Sequence, residues 1–137
     1  MQIKSSIEFL EKEKFKISFS STQVNIFVDK SEADYKAQGP SPLELFCASL
    51  GSCVGIFAKR YLLTRKIDFK KIYIDVEAFF DQSNLLIKDI KVKVSTDANL
   101  DNKLEEFLRY LKNCPIHNTI VNTDKIEIEI KNFCSRL

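Results

Sequence analysis

A chain of 137 residues, 45% hydrophobic and 29% charged, has enough material for one buried core and is read as a single domain spanning 1–137. Its 21 basic and 19 acidic residues nearly cancel to a net charge of +2, which leaves no electrostatic footprint for nucleic acid or an anionic membrane. Met1 to Lys16 mixes charge with apolar residues and does not read as a secretory signal, so Cys47, Cys53, Cys114 and Cys134 are expected as reduced thiols of a cytoplasmic protein.

Apolar residues alternate at Phe15, Ile17 and Phe19 and again at Val24, Ile26 and Val28, which predicts two strands joined through Ser20–Thr22. A polar loop over 29–42 ends in the breakers Gly39, Pro40 and Pro42. Ser41 then suits an N-cap, Pro42 the first helical position, and Glu44 completes a capping box, so a helix is predicted from here to about Arg65. It is apolar on nearly every side up to Ala58, as befits the centre of a fold or an interface. The run from Leu43 to Ala58 falls short of the roughly 20 residues that span a bilayer.

Strict alternation at Ile72, Ile74, Val76, Ala78 and Phe80 predicts a third strand, and Ile87 to Val94 a fourth after a turn at 81–84. Leu100, Leu104, Phe107, Leu108 and Leu111 recur at helical spacing, and Pro115 disfavours helix at Cys114, so this amphipathic helix is expected to end there. Ile126, Ile128 and Ile130 alternate with Glu127 and Glu129 in a predicted final strand. The expected class is α+β with antiparallel sheet.

The thiols carry the candidate chemistry. Cys47 and Cys53 lie about 9 Å apart along one helix axis, too far for a disulfide without breaking it. Any partner for Cys53 must therefore come from elsewhere, and Cys114 ends a separate helix that packs on the same core. Cys53 reads either as a small core hydrophobe or as a shielded, tuned thiol. Gly51, Ser52 and Gly55 beside it imply a close backbone approach or space for a ligand. Cys114 has two readings: at the end of the preceding helix the dipole disfavours its thiolate, and at the N-cap of a new helix opened by Pro115 it favours it. His117, the single histidine, makes half a zinc site with Cys114, and two ligands do not make a structural zinc site.

The segments Gly39-Pro40-Ser41-Pro42-Leu43-Glu44-Leu45, Ala48-Ser49-Leu50-Gly51-Ser52-Cys53 and Cys114-Pro115-Ile116-His117-Asn118-Thr119-Ile120 together resemble the OsmC/Ohr family of thiol peroxidases, nearest to its stand-alone OsmC-like branch. The resemblance implies an OsmC-like fold with antiparallel sheets around two central helices in an intertwined homodimer, with active sites at the dimer interface. It also implies a cysteine-based, peroxiredoxin-like peroxidase for organic hydroperoxides or hydrogen peroxide, in which Cys53 becomes a sulfenic acid and Cys114 closes a disulfide upon it. An external dithiol of the dihydrolipoyl type would reduce that bond, and no metal or bound organic cofactor is implied. The alternative reading is a non-catalytic small-molecule-binding or redox-sensing dimer of the same fold.

The family's peroxidases hold the reactive thiolate with an arginine from the N-terminal region and a glutamate. This chain has no arginine before Arg60, and Leu43 stands ten residues before Cys53 with Glu44 one position later. Glu44 is the glutamate candidate, although its capping box explains it equally and an unbroken helix turns it away from Cys53. Arg60, two turns after Cys53 on the same face, is the candidate cation, its other reading being a solvated helix-end residue. Lys30 or Lys36 from a partner chain is the substitute.

Overall fold

The computed structural model describes residues 1–132. Strands β1 (Ser5–Glu11), β2 (Lys14–Phe19) and β3 (Asn25–Val28) form an antiparallel sheet in the order β1-β2-β3, and β4 (Ile72–Asp81) and β5 (Leu86–Thr96) form a second antiparallel pair. Helix α1 (Pro42–Thr64) lies between them in sequence; a 3-10 turn (Asp101–Lys103), α2 (Leu104–Leu111) and α3 (Pro115–Asn122) follow β5. The chain is α+β, as its periodicity predicts.

β1 is an element that the sequence reading passes over: its apolar residues Ile7, Phe9 and Leu10 break strict alternation at Leu10, and Ser5–Glu11 lies exposed along its length. Cross-strand pairs hold it instead. Ile7 sits opposite Ile17, the Phe9 and Phe15 rings meet edge-on at 5.5 Å, and Glu8 bridges Lys16 at 3.7 Å.

The start of α1 is built locally. The Glu44 N–H donates to Ser41 Oγ at 3.1 Å, and the Ser41 N–H donates back to Glu44 Oε1 at 3.0 Å. Ser41→Ala is therefore expected to cost about 1 kcal/mol, read as a lower urea midpoint at unchanged m-value. An unmoved midpoint would show that Pro42 and Glu44 start the helix without the cap.

α1 extends past the apolar run to 23 residues and is long and apolar enough, by length and composition alone, to cross a membrane. In this fold β4 covers one of its faces and α2 and α3 another, while Ile56 and Leu63 stay 51% and 58% exposed. The core joins Leu50, Val54, Ala58, Tyr61 and Leu62 of α1 to Phe107, Leu111 and Cys114. Tyr61, fully buried, donates its hydroxyl to Glu106 Oε1 at 3.0 Å and packs its ring at 5.1 Å from Phe107.

The loop between β3 and α1 is pinned by the buried Asp29. Its Oδ1 accepts the Lys30 N–H at 2.8 Å, and its Oδ2 accepts the Gln38 N–H at 3.0 Å together with the Tyr35 hydroxyl. Burial pushes this carboxyl up, and the hydrogen bonds from Gln38, Tyr35 and Lys30 together bring it below its ordinary value; the same bond pushes the Tyr35 hydroxyl up to about 12. The Asp29 N–H donates to the Pro40 carbonyl at 3.0 Å, so the loop closes beside β3 one residue before the α1 cap.

The expected strand at Ile126–Ile130 does not form. Residues 123–130 belong to no helix or ladder, and Ile126, Ile128 and Ile130 are 86%, 87% and 91% exposed. Alternation marks a segment suited to lie half-buried in a sheet; a ladder also needs a neighbouring edge, and the segment pairs with none of the described strands. Cys134 lies outside the described residues.

Candidate active site

Cys53 occupies the face of α1 that looks toward α2 and α3. The small residues around it are explained by packing. A Cβ on Gly51 would stand 2.9 Å from Val76 Cγ2, and one on Gly55 would stand 3.4 Å from Ile74 Cγ1. The glycines thus let β4 approach the opposite flank of the helix, where both also line the groove between α1 and β4. Ser52 returns its hydroxyl to the Ala48 carbonyl at 2.7 Å.

Pro115 opens α3, and Cys114 is its N-cap: the Cys114 sulfur accepts the His117 N–H at 3.5 Å. Of the two readings of Cys114, the helix start is the one realised. Packing of α3 on α1 brings Cys114, distant in sequence, near enough to Cys53 to act on its ionisation, and both thiols are free. The Ile116 N–H donates to the Cys53 sulfur, so successive amides of the first turn of α3 serve both sulfurs. Cys114 is fully buried, Cys53 only in part. The rings of Phe57 and Tyr110, 5.7 Å apart, pack against the same core.

Burial first, and then the hydrogen bond to Cys114, push the Cys53 thiol above its ordinary value; the Ile116 N–H and the Arg60 charge oppose them. Arg60 thus acts on Cys53 as the spacing predicts, but as the smallest of these effects, from an exposed position with its guanidinium 5.2 Å from the Phe57 ring centroid. Because the folded value is raised, Cys53 stays protonated through neutral pH. Its alkylation by iodoacetamide is expected to rise only above the ordinary thiol range, near pH 8.5. An inflection below neutrality would mean that a cation outside the described contacts reaches the sulfur.

Glu44 does not join the pair. It completes the capping box, and its side chain lines a groove of about 880 Å³ between α1 and β4 with Cys47, Ala48 and Gly51. The hydrogen bond from the Ser41 N–H holds its carboxyl below the ordinary value. Nine residues of helix turn Glu44 through half a revolution relative to Cys53, which is why one sits on the β4 side and the other on the α2–α3 side. Cys47 shares the groove with Glu44 and is likewise remote from the thiol pair. A second groove of about 480 Å³ separates the first sheet from α1, between Ile7, Phe15, Leu45 and Phe46.

His117 enters the site through its backbone; its ring Nδ1 is buried with no hydrogen-bond partner among the described residues. Among those residues no three His, Cys, Asp or Glu side chains converge as a metal site. The contribution that sequence reading misses is the Ile116 amide. Its signal is the Cys-Pro step, which marks a helix start just as Ser41-Pro42 does for α1.

A central apolar helix, two antiparallel sheets, and a partly buried Cys53 on α1 packed near the buried Cys114 that caps α3 define the class: an α+β protein with two neighbouring free thiols. The family described as OsmC-like protein matches residues 33–129, and the chain belongs to that family. No curated protein matches it in sequence. Among solved structures, the OsmC-like protein from Mycoplasma pneumoniae superposes with a TM-score of 0.76 at 19% identity, covering 89% of each chain. The organic hydroperoxide resistance protein from Elizabethkingia anophelis gives 0.65 at 12% identity, again over 89% of each chain. The organic hydroperoxide resistance protein OhrB of Bacillus subtilis gives 0.56 at 21% identity, over 90% of this chain and 94% of its own.

Proposed function

We propose that this protein is a thiol peroxidase that reduces organic hydroperoxides or hydrogen peroxide at Cys53. The observation that carries the reading is the juxtaposition of Cys53 and Cys114, two free thiols from separate elements packed into one core. Cys53, the more accessible, attacks the O–O bond and becomes a sulfenic acid with release of the alcohol. Cys114 then displaces hydroxide from that sulfur to form the disulfide, and an external dithiol of the dihydrolipoyl class reduces it. Membership of the OsmC-like family, and fold relatives called hydroperoxide resistance proteins, support this assignment.

The working unit is proposed to be a homodimer. Ile56 and Leu63 of α1, the apolar grooves on either side of that helix, and Ile126, Ile128 and Ile130 together leave more apolar surface open than an isolated chain normally carries. Native mass spectrometry reads the assembly directly, and a compact monomer would argue against it.

The test of the activity is a titration with cumene hydroperoxide, followed by peptide mapping, with dihydrolipoamide as reductant in turnover assays. One equivalent of peroxide is expected to yield a Cys53–Cys114 disulfide that dihydrolipoamide reopens. Mapping that finds both thiols free, or either joined only to Cys47, would reject the two-cysteine route. The groove of about 880 Å³ favours the second reading, a non-catalytic binder of an apolar small molecule; it predicts a co-purifying ligand and peroxide consumption at background.

A further inference from the structure

Little besides its cap holds α3 in helical form. Its eight residues include none that is buried, no acid in the first turn and no base in the last. Ile116, Thr119, Ile120 and Val121 are β-branched and lose side-chain freedom in a helix; Asn118 and Asn122 belong to a type that competes for its backbone hydrogen bonds. A helix this short is not stable in water on propensity alone. Its anchor on the core is Ile116, packed against the cluster around α1. The His117 ring works against it, because Nδ1 is buried with no hydrogen-bond partner among the described residues and gains water when the turn opens.

The cap carries the balance. Pro115 has no N–H to place, and Asn118 donates its own to the Cys114 carbonyl at 3.0 Å. The His117 N–H goes to the Cys114 sulfur at 3.5 Å, and that sulfur is the atom that the proposed chemistry consumes.

We propose that α3 is a redox-responsive element: it is capped while Cys114 is a thiol, and its first turn opens when Cys114 becomes half of a disulfide with Cys53. The inference rests on the peroxidase reading above and deepens it. The hydroperoxide passes one oxygen to the Cys53 sulfur as its O–O bond breaks and the alcohol leaves. The Cys114 thiol then displaces that oxygen, which departs as hydroxide and takes the thiol proton to form water. The two sulfurs have given up the two electrons that the peroxide gained.

Bonding draws the two sulfurs, both free in the reduced protein, inside their van der Waals separation. The Cys114 sulfur therefore leaves the position from which it meets the His117 N–H, and the turn loses its cap. Opening also uncovers that sulfur, which has no exposed surface in the reduced fold. The site is thereby offered to a dithiol only when it holds a disulfide to reduce.

A cross-link by itself predicts the opposite, since it removes freedom from the segments that it joins. Amide hydrogen exchange read by mass spectrometry on the full chain separates the two. All proteins carry Cys47→Ser and Cys134→Ser, so that no other thiol pairs. The peptide spanning 115–122 is compared in the reduced protein and after one equivalent of cumene hydroperoxide, with Cys53→Ser, which forms no Cys53–Cys114 bond, treated alike. Its exchange is expected to rise roughly fivefold on oxidation, the effect of losing one cap, with β4 and β5 unchanged and Cys53→Ser unaffected. Unchanged or slower exchange in protein whose disulfide has been mapped overturns the proposal.

Two variants read the cap without peroxide. Serine at 114 keeps an acceptor, whereas valine fills the buried site and offers none. Reduced Cys114→Val is expected to exchange roughly fivefold faster over 115–122, and Cys114→Ser to stay within about twofold of the parent, with circular dichroism confirming the fold of each. Equal exchange in the two variants overturns the proposal. If the peroxidase reading fails instead, no disulfide maps after peroxide. Diamide, which joins neighbouring thiols directly, then makes the Cys53–Cys114 bond on which the same exchange comparison decides.

Discussion

Cys53→Ser is expected to reduce dithiol-dependent peroxide consumption to background, a loss of at least roughly 10⁴-fold, on the scale seen when an enzyme loses its covalent nucleophile. The magnitude follows from what sulfur supplies here. A serine hydroxyl in the same place is close in size to the thiol, but it does not ionise in the accessible pH range and does not form the sulfenic intermediate. Cys53 lies against the core without being sealed in it, so the exchange of sulfur for oxygen is expected to leave the fold intact. The measurement is consumption of cumene hydroperoxide with dihydrolipoamide as reductant, with thermal melts as the control on folding. Activity retained above a tenth of the parent's would assign the chemistry to another thiol, and Cys47, in the groove beside β4, would be the first to examine.

Gly39→Ala is expected to give the largest loss of stability among single-methyl additions. A Cβ at position 39 would stand 2.3 Å from the Phe27 carbonyl oxygen and 3.1 Å from its carbon, so the obstacle is backbone and no rotamer relieves it. The segment cannot simply swing outward. Asp29 donates its N–H to Pro40, Asp29 Oδ2 accepts the Gln38 N–H, and Ser41 two residues on caps α1. Displacing Gly39 therefore strains the loop closure and the start of the helix that carries Cys53. The expected cost is about 3 kcal/mol, the upper part of the range for overpacking. For a domain of this size that lowers the melting temperature by roughly 10 °C. A fall of less than about 2 °C would mean that β3 yields to the methyl group.

The activation of Cys53 is where this chain departs from the arrangement its family resemblance implies. Glu44, the glutamate candidate, is committed to the capping box and to the far side of α1. Arg60 reaches Cys53 only as the weakest of several effects. What stands beside the sulfur is the first turn of α3 and a second thiol.

Much of the fold was legible because its signals are short-range. Ser41, Pro42 and Glu44 mark the start of α1 through contacts three residues apart, and the alternation from Ile72 to Phe80 needs only the period of a strand. β1 escaped because its stability lies in cross-strand pairs with Phe15, Lys16 and Ile17, which no window over Ser5–Glu11 contains. The segment at 126–130 misled for the complementary reason: its alternation is real, but a strand exists only against an edge, and local pattern carries no information about where that edge is. The glycines at 51 and 55 were recognisable as exceptions within a helix, while the cause, Val76 and Ile74 pressed against them, belongs to a distant strand.

By itself, the sequence determined that this protein has a capped, apolar central helix bearing Cys53 and a Cys-Pro step at Cys114, because caps, breakers and periodicity act between residues a turn or less apart. Only the tertiary structure decided that Cys114 begins a helix rather than ending one, that its sulfur meets Cys53, and that Glu44 faces away from both. Those outcomes depend on how α3 docks on α1 and β4 on its opposite flank, and docking follows from the burial of whole faces rather than from any single spacing along the chain.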